Sequence, residues 1–545
     1  MRILFFFLCP LLLHAEILLS ELQERPEGRV RDFQIWQYMQ QDINASQAKE
    51  AYALRKGYNH KIFLKYAKKT DDQKTLESYR CSNIKLNALL KENNSSCINH
   101  GLSLRRAMNL KPAQRGKFSK ILKNDYEKKS KLIYLMDQKP FVLSALQSSP
   151  DDYITLFNTL GYKNRQQYFN VKLPAERINS LAKVKGFNTS IKYIVTDKKM
   201  HRLQESLLQL QHSELSAQSY FFLALNALRF KAVNKSMLYL EVAEKKAYYQ
   251  MDKDKAVFWK YIISQDKLYL EFLSKSTDIN IYTLYAKEKL GQDVNNYFSS
   301  LSLENSASNI NLQDPYIWEE VLTKIRSASK DELAQMLKKY NSKDDEVLHA
   351  FIYSKMLKYK EHNYILPYKD ATKDLDEDSK ALLYSLARQE SHFIPSAISR
   401  SYALGVMQMM PFLIKAIAKQ NKEEARLEEM FDPYKNITYA KQHISYLQKH
   451  LYHPLFIAYA YNGGIGFTKR HLLKGNFSKG SFEPYMSMEL MSNTESREYG
   501  KKVLANYIVY KKILKEEVEI IPLLEMLTEP SHTDRFRRKA LASHP

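Results

Sequence analysis

A carboxylate set on the apolar side of a helix is a candidate acid, and residues 382–390 (LLYSLARQE) hold one. Leu382, Leu383, Leu386 and Ala387 recur at helical spacing, and Glu390 falls on the same stripe, three residues after Ala387 and seven after Leu383. Burial disfavours the charged form of a carboxyl group and raises its pKa. A general acid working near neutral pH needs that shift. The stripe is equally readable as a buried glutamate paired with an arginine, either Arg388 or one distant in the chain. Residue types alone leave both readings open.

Two amides interrupt apolar surroundings further on. Gln408 sits within Val406-Met407-Gln408-Met409-Met410-Pro411. Methionines there read as core filler, but a buried amide must find partners. Asn462 lies in Tyr459-Ala460-Tyr461-Asn462-Gly463-Gly464-Ile465-Gly466. Its glycines allow positive φ or close approach to a ligand, and the cluster equally fits an ordinary helix end. His443, His450 and His453 form no His-Glu-x-x-His or comparable ligand set, so no metal and no cofactor are called for. His392 reads as a surface residue, and Glu423, Glu424, Glu428 and Glu429 as a solvated charged stretch.

The elements that must position these groups are helical. With 14 glycines and 16 prolines in 545 residues, the composition is that of a mainly α protein of two or three domains. Residues 16–365 read as amphipathic helices stacked into a solenoid-like superhelix, open or closed into a ring. Within it, 217–230, 236–247 and 256–264 read as helices, with a Lys/Asp-rich turn at 252–255. Proline and polar residues near 362–374 mark a boundary, and residues 366–528 form a second compact unit. Residues 529–545, with Asp534-Arg535-Phe536-Arg537-Arg538-Lys539, lack apolar periodicity and read as a basic mobile tail.

The formal net charge of +23 and pI near 9.4 call for an acidic partner: nucleic acid, anionic lipid or an anionic polymer. Residues 1–15 narrow that choice. Arg2, the apolar run Ile3 to Leu13 and Ala15 have the layout of a signal peptide cut after Ala15. The run is too short for an ordinary span of about 20 residues. An exported protein without stable membrane insertion excludes nucleic acid as the partner. In an oxidising compartment Cys81 and Cys97 read as a disulfide, closing a short loop worth about 3 kcal/mol in the chain-entropy picture.

In this order, four segments resemble the family 1 lytic transglycosylases of bacterial cell walls, which share a lysozyme-like fold. They are Glu390-Ser391, Gly405-Val406-Met407-Gln408, Ala460-Tyr461-Asn462-Gly463-Gly464 and Glu495-Ser496-Arg497-Glu498-Tyr499. The last, with the long helical region before it, points to the soluble, ring-shaped branch. The resemblance covers about residues 380–515 and implies a periplasmic monomer that cleaves the glycan strands of peptidoglycan and meets other cell-wall enzymes. It implies Glu390 as the single acid/base. Ser391 is expected to donate to Glu390 or to a sugar substituent, and Met407, Gln408 and Asn462 to line the groove. Tyr461 is expected to contact the catalytic carboxyl, and Glu495 to orient or tune it. The rival readings are a goose-type-like lysozyme acting on the same bond and a catalytically idle wall-binding scaffold. Tyr402, Val406, Gly463 and Gly500 depart from the family pattern, and Tyr402 is the one expected to add a ring to the groove or narrow it.

Overall fold

A computed structural model describes residues 16–542 apart from 212, 213, 309 and 517; the expected signal peptide lies outside these residues. Among the described residues the regular elements are helices, save one short parallel strand pair, Tyr297–Phe298 beside His362–Asn363, and a few isolated bridges. The architecture is mainly α: a superhelix of stacked helices followed by a second helical unit.

Alternation of small and large apolar residues builds the superhelix. Helix Ala217–Arg229 buries Phe221, Leu223, Ala224, Ala227 and Leu228, and packs on Val233–Lys246. That helix packs in turn on Gln250–Ser264. The segment 252–255 is part of this last helix, not the turn expected from its charges. Asp254 is buried there and accepts from Gln250, Ser276 and Asn280 at 2.8–2.9 Å, donors that replace water. Near the start of the chain, Cys81 on helix Gln73–Ser82 is bonded to Cys97 on Ser95–Gly101, with Cα atoms 5.0 Å apart.

The superhelix closes on itself. Helix Arg29–Tyr38 lacks a capping side chain of its own; instead Glu319, on helix Pro315–Ser327, accepts from the Arg29 and Val30 amides at 2.8 and 3.3 Å. The same N-terminal helices reach the second unit. Arg29 donates to the Ile398 carbonyl (3.0 Å), and Asn59 to the Tyr402 hydroxyl (2.7 Å). Tyr402 is buried between Phe33 and Trp36, each ring 5.4 Å away. It therefore bolts the two units together, its ring packed between Phe33 and Trp36 and not standing free beside the acid. A ring at this position is covered because the N-terminal helices fold back over it.

In the second unit, helix Glu377–Ser391 packs on Thr494–Ile513, which packs on Pro454–Gly463. The last two approach so closely that a Cβ on Gly500 would stand 2.2 Å from the Tyr459 ring. Residues 530–542 are not a mobile tail. Helices Pro530–Thr533 and Arg535–Ala542 dock on this unit, with Arg537 buried. Its guanidinium pairs with Asp534 (2.6 Å), donates to the Phe477 and Leu527 carbonyls, and lies over the Phe456 ring. Polar groups, not an apolar stripe, anchor the segment, so apolar periodicity did not reveal it.

Candidate active site

Asp376 caps the Glu390 helix by accepting from the Ser379 amide at 2.8 Å. Ala381, Leu382, Leu383, Leu386 and Ala387 bury its inner face. His392 ends it in a left-handed conformation, φ 52°, so Glu390 stands in the final turn. Glu390 is half-buried, and the Tyr499 hydroxyl donates to its Oε1 at 2.6 Å. Burial pushes its pKa up to about 7; the Tyr499 hydrogen bond opposes that rise and the charge of Glu495 adds to it. No arginine pairs with it among the described residues. Arg388 is turned away, donating Nε to the Asn363 carbonyl and Nη1 to the Asn506 side chain. The arginine-paired reading of the stripe therefore falls.

The loop after this helix is held by its own backbone and by one buried asparagine. Leu404 and Met409 exchange backbone hydrogen bonds at 3.0 and 2.9 Å. Gly405 has φ 76°, and a Cβ there would meet the Met430 carbonyl at 2.2 Å, so only glycine fits. Asn436 accepts from the Met407 amide and donates to the Leu404 and Met430 carbonyls. This asparagine lies in the first turn of helix Pro433–Gln448 and is not among the residues singled out from the sequence.

Several expected site residues take other posts. Ser391 donates to the Val406 carbonyl at 2.7 Å, tying the loop to the helix rather than touching Glu390. Met407 is 0 % exposed and lies under the loop instead of lining a groove. Tyr461 donates to the Met407 carbonyl at 2.8 Å; the hydroxyl that reaches Glu390 is that of Tyr499. Tyr499 lay in the fourth motif, but its role there was not read. Gln408 donates to the Ala397 and Gly405 carbonyls at 3.0 and 2.9 Å, which leaves its oxygen as an acceptor. Asn462 is bracketed, donating to Glu495 (3.3 Å) and accepting from Ser496 (2.8 Å). Glu495 is exposed beside it. The histidines are apart in their partners: His443 against Tyr461, His450 against Phe536, and His453 on the Leu523 carbonyl.

Helix Thr494–Ile513, which presents Tyr499, is locked by buried charge. Lys501 pairs with Glu489 (2.8 Å) and Glu498 (3.0 Å) and donates to the Tyr282 hydroxyl (3.0 Å) of the superhelix. Tyr282 in turn donates to Glu489 at 2.5 Å.

The scaffold thus presents a carboxyl with a raised pKa, Glu390, at a site bordered by the Gln408 and Asn462 amides. Residues 368–481 match the family profile of the transglycosylase SLT domain. It is 28 % identical over 209 residues to the soluble lytic murein transglycosylase of Escherichia coli K12, covering 37 % of this chain and 32 % of that protein. With the protein of the same name from Salmonella typhimurium it shares 25 % over 263 residues, covering 43 % and 39 %. The matched stretch thus spans only about a third of these relatives. Among solved structures, the 70 kDa soluble lytic transglycosylase from Escherichia coli superposes over 92 % of this chain and 84 % of that one, at a TM-score of 0.47 and 17 % identity.

Proposed function

We propose that this protein is a peptidoglycan lytic transglycosylase, cleaving the β-1,4 bond between N-acetylmuramic acid and N-acetylglucosamine without water. The observation that carries the reading is one carboxyl, Glu390, pushed up to about 7 and, among the described residues, hydrogen-bonded to a neutral hydroxyl alone. Protonated Glu390 gives its proton to the glycosidic oxygen as the C1–O bond breaks. The oxocarbenium-like or oxazolinium species that results is held by the substrate's own acetamido group. Glu390, now a carboxylate, takes the proton of the muramoyl C6 hydroxyl as that oxygen attacks C1, closing a 1,6-anhydro ring. Because no water is activated, the route needs no second carboxylate, unlike most glycoside hydrolases.

Tyr499 holds the Glu390 carboxyl in place, and Glu495 raises its proton affinity. The free Gln408 oxygen and Asn462 serve as hydrogen-bond partners for N-acetyl and hydroxyl groups. Residues 16–365 are the superhelical scaffold, and the chain from residue 366 is the unit that acts. No described helix is long and apolar enough to cross a membrane, which suits a periplasmic site of action after removal of residues 1–15. The charge of +23 suits an anionic wall polymer, and salt should weaken its capture. Mass spectrometry of digested murein tests the proposal: 1,6-anhydromuramoyl ends are expected, and reducing muramoyl ends would instead make the enzyme a lysozyme.

A further inference from the structure

A cavity of about 360 Å³ opens beside the last turn of the Glu390 helix, away from the acid. Arg388, in that turn, and His392, the residue that ends the helix, line it; two positions along the helix, Glu390 is turned about 200° from Arg388. The opposite wall is Phe351 and Ser354 of helix Glu346–Met356, with Tyr359 and Asn363 from the chain that follows.

Three features of the wall define what it would hold. Ser354 Oγ and Asn363 Oδ1 have no hydrogen-bond partner among the described residues, although their residues are only 5 % and 4 % exposed. Native interiors keep few such groups, because leaving one unpaired is costly. Arg388 uses Nε and Nη1 on neutral acceptors, and no carboxylate pairs with it among the described residues. Around the histidines the charges are mainly positive. Arg388, His362 and Lys502 act on His392, and Asp278 is the one acid felt at His362, which itself contacts the Thr277 carbonyl. A guanidinium that has neutral acceptors and the Tyr364 ring but no carboxylate, beside a hydroxyl without a partner, asks for an anionic acceptor. The Asn363 oxygen, which can only accept, asks for a donor on the same ligand.

We infer that this cavity is a second binding site, taking the carboxylate terminus of an amino acid or small peptide. The carboxylate sits on Arg388 and the Ser354 hydroxyl, an N–H of the ligand on Asn363 Oδ1, and Phe351 and Tyr359 flank the remainder. The ligand is either a free peptide or a peptide borne on the wall polymer.

Calorimetry on the mature chain with glycylglycine tests this. Saturable binding is expected with a Kd on the order of 1 mM, and binding of glycylglycinamide at least about tenfold weaker. Ser354→Ala should weaken glycylglycine about tenfold while leaving the Tm unchanged or higher, since it removes an unpaired buried hydroxyl. Ser354→Met, which fills the cavity, should abolish binding. Equal binding of dipeptide and amide overturns the site. So does unchanged binding in Ser354→Met, or no saturation up to roughly 50 mM. Competition by intact murein sacculi, and not by sacculi stripped of peptides, assigns the wall-borne source; no competition by either assigns the free peptide. Only this last arm rests on the proposed function, because the calorimetry reads no catalysis.

Discussion

Two helices meet in the second unit, Glu377–Ser391 and Thr494–Ile513, and each side of their contact holds enclosed carboxylates that meet opposite fates. Among the described residues Glu390 has only a phenolic hydroxyl for a partner, and burial raises it to about 7. Glu498 is enclosed just as closely, and burial alone would raise it too. Lys501, Lys255 and Arg497 outweigh that and drive it well below the ordinary carboxylate range. The difference teaches that enclosure does not make an acid. An acid results when enclosure comes without a cation, and a brace results when cations come with it. The two sit on one mechanical path, since Lys501 and Tyr499 lie on the same helix, two residues apart.

The comparison can be broken hardest at Glu390. Glu390→Gln should lower murein clearance by about 10²–10⁴-fold, the range for losing a general acid–base. If the wild type clears murein no faster than this variant, the protein is a scaffold and the site is idle. Stability should move the other way. A carboxyl raised from 4.5 to about 7 binds its proton more tightly when folded. Its contribution is fully present below pH 4.5 and is lost as pH rises through 7, a cost of up to about 3 kcal/mol at pH 8. Glu390→Gln should therefore raise the Tm at pH 8 and leave it unchanged near pH 4.

Removing the cation on the other side should do the reverse. Lys501→Met strands Glu489 and leaves Glu498 with fewer partners, and should cost about 3–5 kcal/mol in denaturant unfolding. Glu498, whose folded pKa is depressed, stabilises above the unfolded value near 4.5, and that contribution is lost as pH falls through its folded value. Acid should thus weaken the brace while it protects the acid. An unfolding midpoint insensitive to Lys501→Met would remove the brace from the account.

Two smaller changes sharpen the picture through the pH profile. Activity should fall above about pH 7 as Glu390 loses its proton. Tyr499→Phe removes the donor that favours the carboxylate, so this limb should move to higher pH, with a rate loss of about tenfold from poorer positioning. Glu495→Gln removes a negative charge and should move the same limb to lower pH by a few tenths of a unit, the size roughly expected for an exposed charge. Shifts of the opposite sign in kcat against pH would contradict the assigned causes.

The candidate acid was legible because its signal is local: a stripe of Leu and Ala at helical spacing places Glu390 on one face whatever packs there. The helical class and the four ordered motifs were legible for the same reason. Partners separated by long stretches of chain were not. Lys501 meets Tyr282 across 219 positions, and Tyr402 meets Asn59 across 343, contacts that no periodicity encodes. The segment 530–542 was misread because Arg537 is buried through an ion pair, two carbonyls and a ring, and carries no apolar repeat.

By itself the sequence determined a helical protein with a carboxyl on a buried face, since side-chain periodicity and desolvation follow from residues close in the chain. Whether that carboxyl would be paired was decided by the tertiary structure alone, which turned Arg388 to the far side of the helix and brought Tyr499 to Glu390. It also decided that Tyr402 joins the two units and that Ser391 and Met407 support the loop from beneath. A pKa and a hydrogen-bond partner depend on every group within a few ångströms, and most of those groups arrive from elsewhere in the chain.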